Sequence, residues 1–397
     1  MSASRLFSSP QRTFLTLGII LLSLNLRPSI NAVAPLAQRM ADDGLSLQLI
    51  GHLTSLPILL FGIAGLFAGS IGVKLGFSRA LGLGLTILIA GIVLRSLSSA
   101  PPVLLAGSAL IGRGISLGNV LLPGVVKARF PEHTGILTGI YSTAIGVGSA
   151  LGIATSISLA DGFAGGWSGS LQFWALPAGL AFLIWLPQVL ARPIARSSDA
   201  LLPSLSYLTR QPLAWSVTLH MGFLSLLFFS AIAWLPSILQ ARGMSEEAAG
   251  FWIGLTQIFG CISSLTLPRL AARREKQSLI VLLSNAAIVI SLLGIWLLPV
   301  ALVPVLSVLL GLGLSGSFSL CLLLINLRSA DARTTGQLSA MSQAFGYLIG
   351  APGPWFLGFL FASTQSWSLP VLFLTLAGLA TAASGWWSGK NEQLSLP

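Results

Sequence analysis

The chain is poor in charge. Only 8% of its 397 residues are Asp, Glu, Lys or Arg, against about 25% in a soluble domain. With 54% of residues apolar, no soluble fold of this length could hide its apolar surface, so a polytopic membrane protein is expected. Acids are scarcer still, ten against twenty-one Lys and Arg, which leaves a net charge of +11. Such an excess can signal nucleic acid. Here the basic residues sit in short runs between apolar segments, so membrane topology explains them better and no nucleic-acid partner is expected. The two cysteines, Cys261 and Cys321, both lie in apolar helices and read as small buried side chains, not a disulfide framework. Three scattered histidines and no acid deep in a span offer neither a metal cluster nor a nucleophile with its base. Neither an enzyme nor a cofactor is expected.

What is present is apolar runs of membrane-crossing length. Polar breaks mark spans at 14–38, 46–70, 79–98, 102–126, 134–159 and 170–190, then 213–238, 246–268, 278–299, 303–326, 335–362 and 367–387. The first follows Arg5 and Arg12 without a cleavage site and reads as an uncleaved span. The fold class is therefore an all-α protein of twelve transmembrane helices. Residues 1–191 form one six-helix bundle, 192–212 a cytoplasmic linker and 213–397 a second bundle. With the N-terminus inside, sixteen of the twenty-one basic residues fall on the inner side and only Arg39 and Arg242 in outer loops. That bias predicts two cytoplasmic termini.

The halves read as repeats. "GLSLQLIG" at 44–51 matches "GMSEEAAG" at 243–250, and "TGILT" at 134–138 matches "TGQLS" at 335–339. Both pairs open equivalent spans at nearly the same offset. A parallel duplication of six spans is the pattern of the major facilitator folds, which carry their solute between the halves near the midplane.

Two further sets of residues carry a resemblance. The loop "GSIGVKLGFSRALGL" (69–83) resembles the facilitator signature through Gly69, Lys74, Gly76 and Arg79, a candidate conformational motif, although Val73 stands where the family has Asp. "NLRPSINAVAPL" (25–36) and "SLGNVLLPGVVKARFP" (116–131), with "LRSLSS" (94–99), "LTSLP" (53–57) and "AWLP" (233–236), are similar to the cyanate permease and 2-nitroimidazole transporter family of the major facilitators. "LGNVLLPG" favours the nitroimidazole branch. The resemblance covers essentially the whole chain. It implies a monomeric bacterial inner-membrane permease for a small polar or anionic solute.

The candidate site residues are the polar ones inside spans. Ser23, Arg27 and Asn31 are spaced i, i+4, i+8 and predict one polar stripe on an apolar helix. Pro28 removes a backbone donor, frees the Leu24 carbonyl and predicts a kink. Arginine at mid-span is costly, about 2.5–3.5 kcal/mol on insertion scales. Its planar fork suits an anion. The alternative role is a tie to backbone carbonyls of a neighbouring helix. Arg113 also lies near mid-span, and Gly112 and Gly114 beside it would let helices approach. Arg95, near an outer end, is expected to snorkel to the interface.

All ten acids fall in loops or at helix ends. A buried cation needs a partner, and the solute itself is one candidate, which favours an anion or a nitro-bearing compound. Asn119, Tyr141, His220, Trp234, Gln257, Gln343 and Tyr347 could complete a binding cavity, Ser339 joining Gln343 and Tyr347 in a second i, i+4, i+8 stripe. Helix–helix hydrogen bonding is an alternative role for each. His220 and His52 are the candidates for proton coupling. The reading that follows is a solute carrier working by alternating access in the lipid bilayer. A membrane sensor or scaffold that kept the same fold is the alternative.

Overall fold

The computed structural model describes residues 10–163, 165–191 and 206–396. Among them, twelve helical segments are long and apolar enough to cross a membrane. In chain order the α-helices are α1 (Pro10–Leu24), α2 (Pro28–Asn31), α3 (Ala37–Asp42), α4 (Leu47–Leu75), α5 (Phe77–Ser96) and α6 (Pro101–Arg129), then α7 (Thr134–Gly162), α8 (Gly166–Phe173) and α9 (Ala175–Leu190). The second half holds α10 (Pro212–Ala241), α11 (Glu246–Ala271), α12 (Ser278–Leu297), α13 (Val303–Leu327), α14 (Ala332–Gly350), α15 (Gly353–Thr364) and α16 (Ser368–Ser388). An all-helical answer is what a bilayer demands, because each helix satisfies its own backbone hydrogen bonds.

Contacts divide the chain into two units, Met1–His133 with Ile140–Leu201, and Thr134–Gly139 with Leu202–Pro397. The first turns of α7 therefore group with the second unit, a departure from a division by halves. Small residues explain it: a methyl added at Gly135 would meet the Pro268 carbonyl oxygen at 2.7 Å, and one at Gly139 the Leu265 carbonyl oxygen at 2.8 Å. Residues 192–205 of the expected linker lie outside the described residues.

The repeat is visible in local geometry. Gly44 and Gly243 both take positive φ, +89° and +90°, a conformation open to glycine at little cost. Two residues on, Ser46 and Ser245 cap α4 and α11, each accepting a backbone N–H three residues ahead at 3.2 Å. The serine cap satisfies one of the orphan donors at a helix start.

Within the first unit, glycines bring α5 and α6 together. A methyl at Gly107 would lie 2.5 Å from the Arg95 backbone nitrogen, and one at Gly114 would lie 2.6 Å from that of Leu88. Small residues of this kind let membrane helices approach closely. Arg95 corrects the sequence expectation. It does not reach an interface: it is fully buried, and its three guanidinium nitrogens make no hydrogen bond. The reason is α8, which covers the end of α5 and donates from Ser168 Oγ to the Ser96 carbonyl at 2.8 Å. Arg39 and Asp161, beyond the ends of their apolar runs, pair at 2.6 Å.

The second unit packs a core of Leu and Ile from α10, α12, α13 and α16, including Leu224, Ile288, Leu310 and Leu374. Its end is closed by the C-terminal segment. Leu394 donates to the Arg328 carbonyl at 2.7 Å and accepts from Ala330 at 2.9 Å, a short parallel bridge. The Arg328 side chain, just past α13, is buried and donates to the Ser388 carbonyl at 2.9 Å, the Glu392 carbonyl at 3.3 Å and the Gln277 side chain. Burial pulls its pKa down to about 10, the Glu392 charge opposing that shift, so it stays cationic at neutral pH.

Two expectations follow. Arg328→Ala strands several acceptors, costs about 1.5–3 kcal/mol and exposes residues 389–396 to protease, read by limited proteolysis. Gly107→Val overpacks the α5–α6 contact at a cost of about 1–3 kcal/mol, read as a lower Tm of the purified protein.

Candidate functional site

The first span is not one helix. It ends at Leu24, restarts at Pro28 and runs on through a 3-10 turn, Ala34–Leu36, into α3. The cause is local and legible. Pro28 has no N–H and clashes with helical continuation behind it, while as the first residue of a new helix its fixed φ is well suited. Arg27 is the residue before that proline, with φ −125°, as the steric rule for pre-proline residues requires. Its carbonyl accepts from Ile30 and Asn31, both at 3.1 Å.

Neighbouring helices close on the break. Gly148 of α7 packs against the Leu24 carbonyl, and a methyl at Gly152 would lie 2.7 Å from the Pro28 Cα. Asn25, inside the break, donates to the Leu21 carbonyl at 2.8 Å and the Pro177 carbonyl of α9 at 3.2 Å. Asn31 donates to Ser149 Oγ of α7. Arg27 is therefore held in a segment anchored by an amide on each side. The residues supplying those anchors, Asn25, Ser149 and the glycines of α7, were not singled out from the sequence. Asn25 was visible beside Arg27, whereas Ser149 gave no signal.

The expected stripe is corrected by this geometry. A helix broken between Leu24 and Pro28 cannot carry Ser23, Arg27 and Asn31 on one continuous face. Ser23 is fully buried in α1 and donates back to the Ile19 carbonyl at 2.7 Å. Arg27 and Asn31 are half-buried at the two ends of α2.

Arg113 lies midway along α6. It is the one exposed residue between Ile111 and Val126. Its flanking glycines do admit neighbours: Gly112 lies against Pro57 of α4, and Gly114 against Gly84 and Leu88 of α5. Those two close contacts hold the backbone on both sides of Arg113. Asn119, two turns on, is buried and donates to the Ile115 carbonyl at 3.4 Å. Ser116 ties α6 to the Phe61 carbonyl of α4 at 3.2 Å. Tyr141 is buried in α7.

The signature loop is a structural corner. Gly76 takes φ +84° between α4 and α5. Gly69 is buried, Lys74 exposed, and Arg79 Nε donates to the Val189 carbonyl of α9 at 3.3 Å. Val73, at the position of the family's carboxylate, is buried.

In the second unit most candidates are engaged in helix packing. His220 is fully buried, its Nε2 3.0 Å from Ser317 Oγ, which in turn donates to Asn285 Oδ1 at 2.7 Å. A hydroxyl has one proton to give, so His220 Nε2 is the donor to Ser317. Trp234 spends its indole N–H on the Pro354 carbonyl at 2.7 Å and packs on Trp367, with ring centroids 5.6 Å apart. Gln343 donates to Ser339 at 2.9 Å, and Tyr347 lies 6.0 Å from Phe229, all on the buried side of α14. This second stripe does sit on one unbroken helix. Gln257 is half-buried in α11, and His52 is exposed in the second turn of α4. A second interruption, between α14 and α15 at Ala351–Pro352, falls inside the eleventh span. The "APGP" run was its unread signal.

The model of the Major Facilitator Superfamily matches residues 14–354. The chain is 38% identical to the "Uncharacterized transporter YycB" of Bacillus subtilis, over 97% of this chain and 95% of that one. It is 34% identical to the 2-nitroimidazole transporter of Escherichia coli, over 99% and 100%, and 30% identical to the cyanate transport protein CynX of the same organism, over 87% and 89%. Among solved structures it resembles the proton:xylose symporter XylE, with a TM-score of 0.77 and 14% identity over 96% and 97% of the two chains, a likeness of fold alone. The chain belongs to the major facilitator superfamily of membrane transporters, within the group that includes the 2-nitroimidazole and cyanate transporters.

Proposed function

We propose that this protein is a secondary transporter that moves a small anionic or strongly polar solute, cyanate-like or nitroimidazole-like, across the bacterial inner membrane by alternating access. It acts as a monomer with both termini in the cytoplasm. The observation that carries the reading is the placement of two arginines at mid-span in the first unit. Arg27 opens a helix after a break, and Arg113 is the one exposed residue in an otherwise buried stretch of α6. A charge held at that depth marks a solute path by default. A guanidinium offers paired donors to a carboxylate-like, cyanate or nitro group, and its cation suits an anion.

The helix break supports the assignment of Arg27 to recognition. Discontinuous helices line solute sites in transporters because irregular backbone is tolerated there and offers polar groups. Rigid anchoring by Asn25 and Asn31 fixes the arginine without consuming flexibility at the moment of binding. Asn119, Tyr141, Gln257, Gln343 and Tyr347 are proposed as supporting residues. The names of the relatives support the solute class.

In proteoliposomes loaded with cyanate or 2-nitroimidazole, Arg27→Ala is expected to abolish transport while the protein still folds. Loss of a desolvated charged contact costs about 2–5 kcal/mol, about 30-fold or more in affinity. Arg27→Lys is expected to lose most activity, since a point charge cannot replace the fork. Wild-type rates in Arg27→Ala overturn the proposal. A thermal-shift screen against cyanate, nitrate, small carboxylates and nitroimidazoles identifies the solute by the stabilisation that binding confers.

Orientation is tested separately. With Cys261 and Cys321 replaced by serine, a cysteine introduced at Ser99, exposed between the third and fourth spans, should react with an impermeant thiol reagent added outside intact cells, and one at Lys276 should not. The reverse result inverts the topology.

A further inference from the structure

One end of the first unit holds a cavity of about 550 Å³, apart from the residues assigned to the solute. Its walls come from three helix ends: Arg12 and Leu15 at the start of α1, Arg129 and Phe130 at the close of α6, and Pro187 and Gln188 at the end of α9. Two of these are arginines, and no acidic residue lines it among the described residues. The Nε of Arg129 is buried and makes no hydrogen bond. A buried donor on a cationic group without an acceptor is costly.

We propose that this cavity is a binding site for a phosphate-bearing anion, held by Arg12 and Arg129 with Gln188 as a neutral donor. Arginine forks match phosphate oxygens in pairs. The apolar share of the wall, Leu15, Phe130 and Pro187, suits a ligand with a carbon skeleton beside its phosphate. Such a skeleton belongs to a lipid headgroup on its glycerol or to a free phosphate ester, and basic pockets between membrane helices take anionic headgroups. Volume permits either: a cavity of this size lies in the range of small-ligand sites. The site is independent of the solute reading, because none of its residues is assigned to solute.

Melting of the purified full-length protein in detergent tests this, at fixed ionic strength. The added probes are dihexanoyl phosphatidylglycerol, dihexanoyl phosphatidylcholine and glycerol 3-phosphate. Dihexanoyl phosphatidylglycerol is expected to raise Tm by about 4 °C or more and the zwitterionic lipid to do nothing. A shift with the anionic lipid alone assigns the site to a headgroup. A shift with glycerol 3-phosphate as well assigns it to free phosphate esters. In the double variant Arg12→Gln, Arg129→Gln either shift is expected to vanish, while Arg273→Gln, an exposed change in the second unit, keeps it. If the double variant does not fold, Arg12→Gln alone, at an exposed position, is expected to weaken apparent affinity at least tenfold. Equal stabilisation by phosphatidylcholine, no shift with any anion, or an undiminished shift in the arginine variants overturns the proposal.

Discussion

Inside a bilayer, every backbone N–H and C=O must be satisfied by the protein itself. The rest of this structure depends on how that constraint is met where a helix stops. In the first span Pro28 removes a donor, and the chain breaks between Leu24 and Arg27. The break survives because its neighbours supply what the helix gave up. Asn25 bonds across to α9, Asn31 to α7, and Gly148 and Gly152 let α7 close against the exposed backbone. The same arrangement that repairs the backbone holds the Arg27 backbone in place.

The duplication accounts for much of the architecture and marks where it fails. Equivalent glycines at 44 and 243 and equivalent serine caps at 46 and 245 keep the same geometry in both halves. The interruptions do not repeat. One lies in the first span, one at Trp174 in the sixth and one in the eleventh, and no two of these are equivalent positions in a parallel duplication. Among the described residues mid-span arginines occur in the first half, whereas the second buries a hydrogen-bonded network of His220, Ser317 and Asn285. A shared scaffold thus carries unlike chemistry in its two parts.

Polar residues in spans fall into two groups that look alike on paper. Ser23, Asn119, Gln343 and Trp234 donate to carbonyls or side chains of their own bundle. Arg113 is exposed. Arg95 falls outside both groups: it looked like an interfacial residue and is buried beneath α8. The lesson is about packing. Whether a polar side chain faces a helix or an open surface depends on which neighbour covers it, and that neighbour can lie far away in sequence.

The amino-acid sequence by itself determined the class, the number of spans and their approximate places, the duplication and the family, because apolar run length, turn residues and repeated caps are local properties. It also placed Arg27 beside a proline, and with it the break. Tertiary structure decided the rest. It showed that the Ser23–Arg27–Asn31 stripe is not one face, that Asn25 and Ser149 anchor the break, that the C-terminal segment is bound through Arg328, and that two arginines far apart in sequence line one cavity. Those facts depend on which helix lies against which, and helix neighbours are set by side-chain fit over distances that no sequence period encodes.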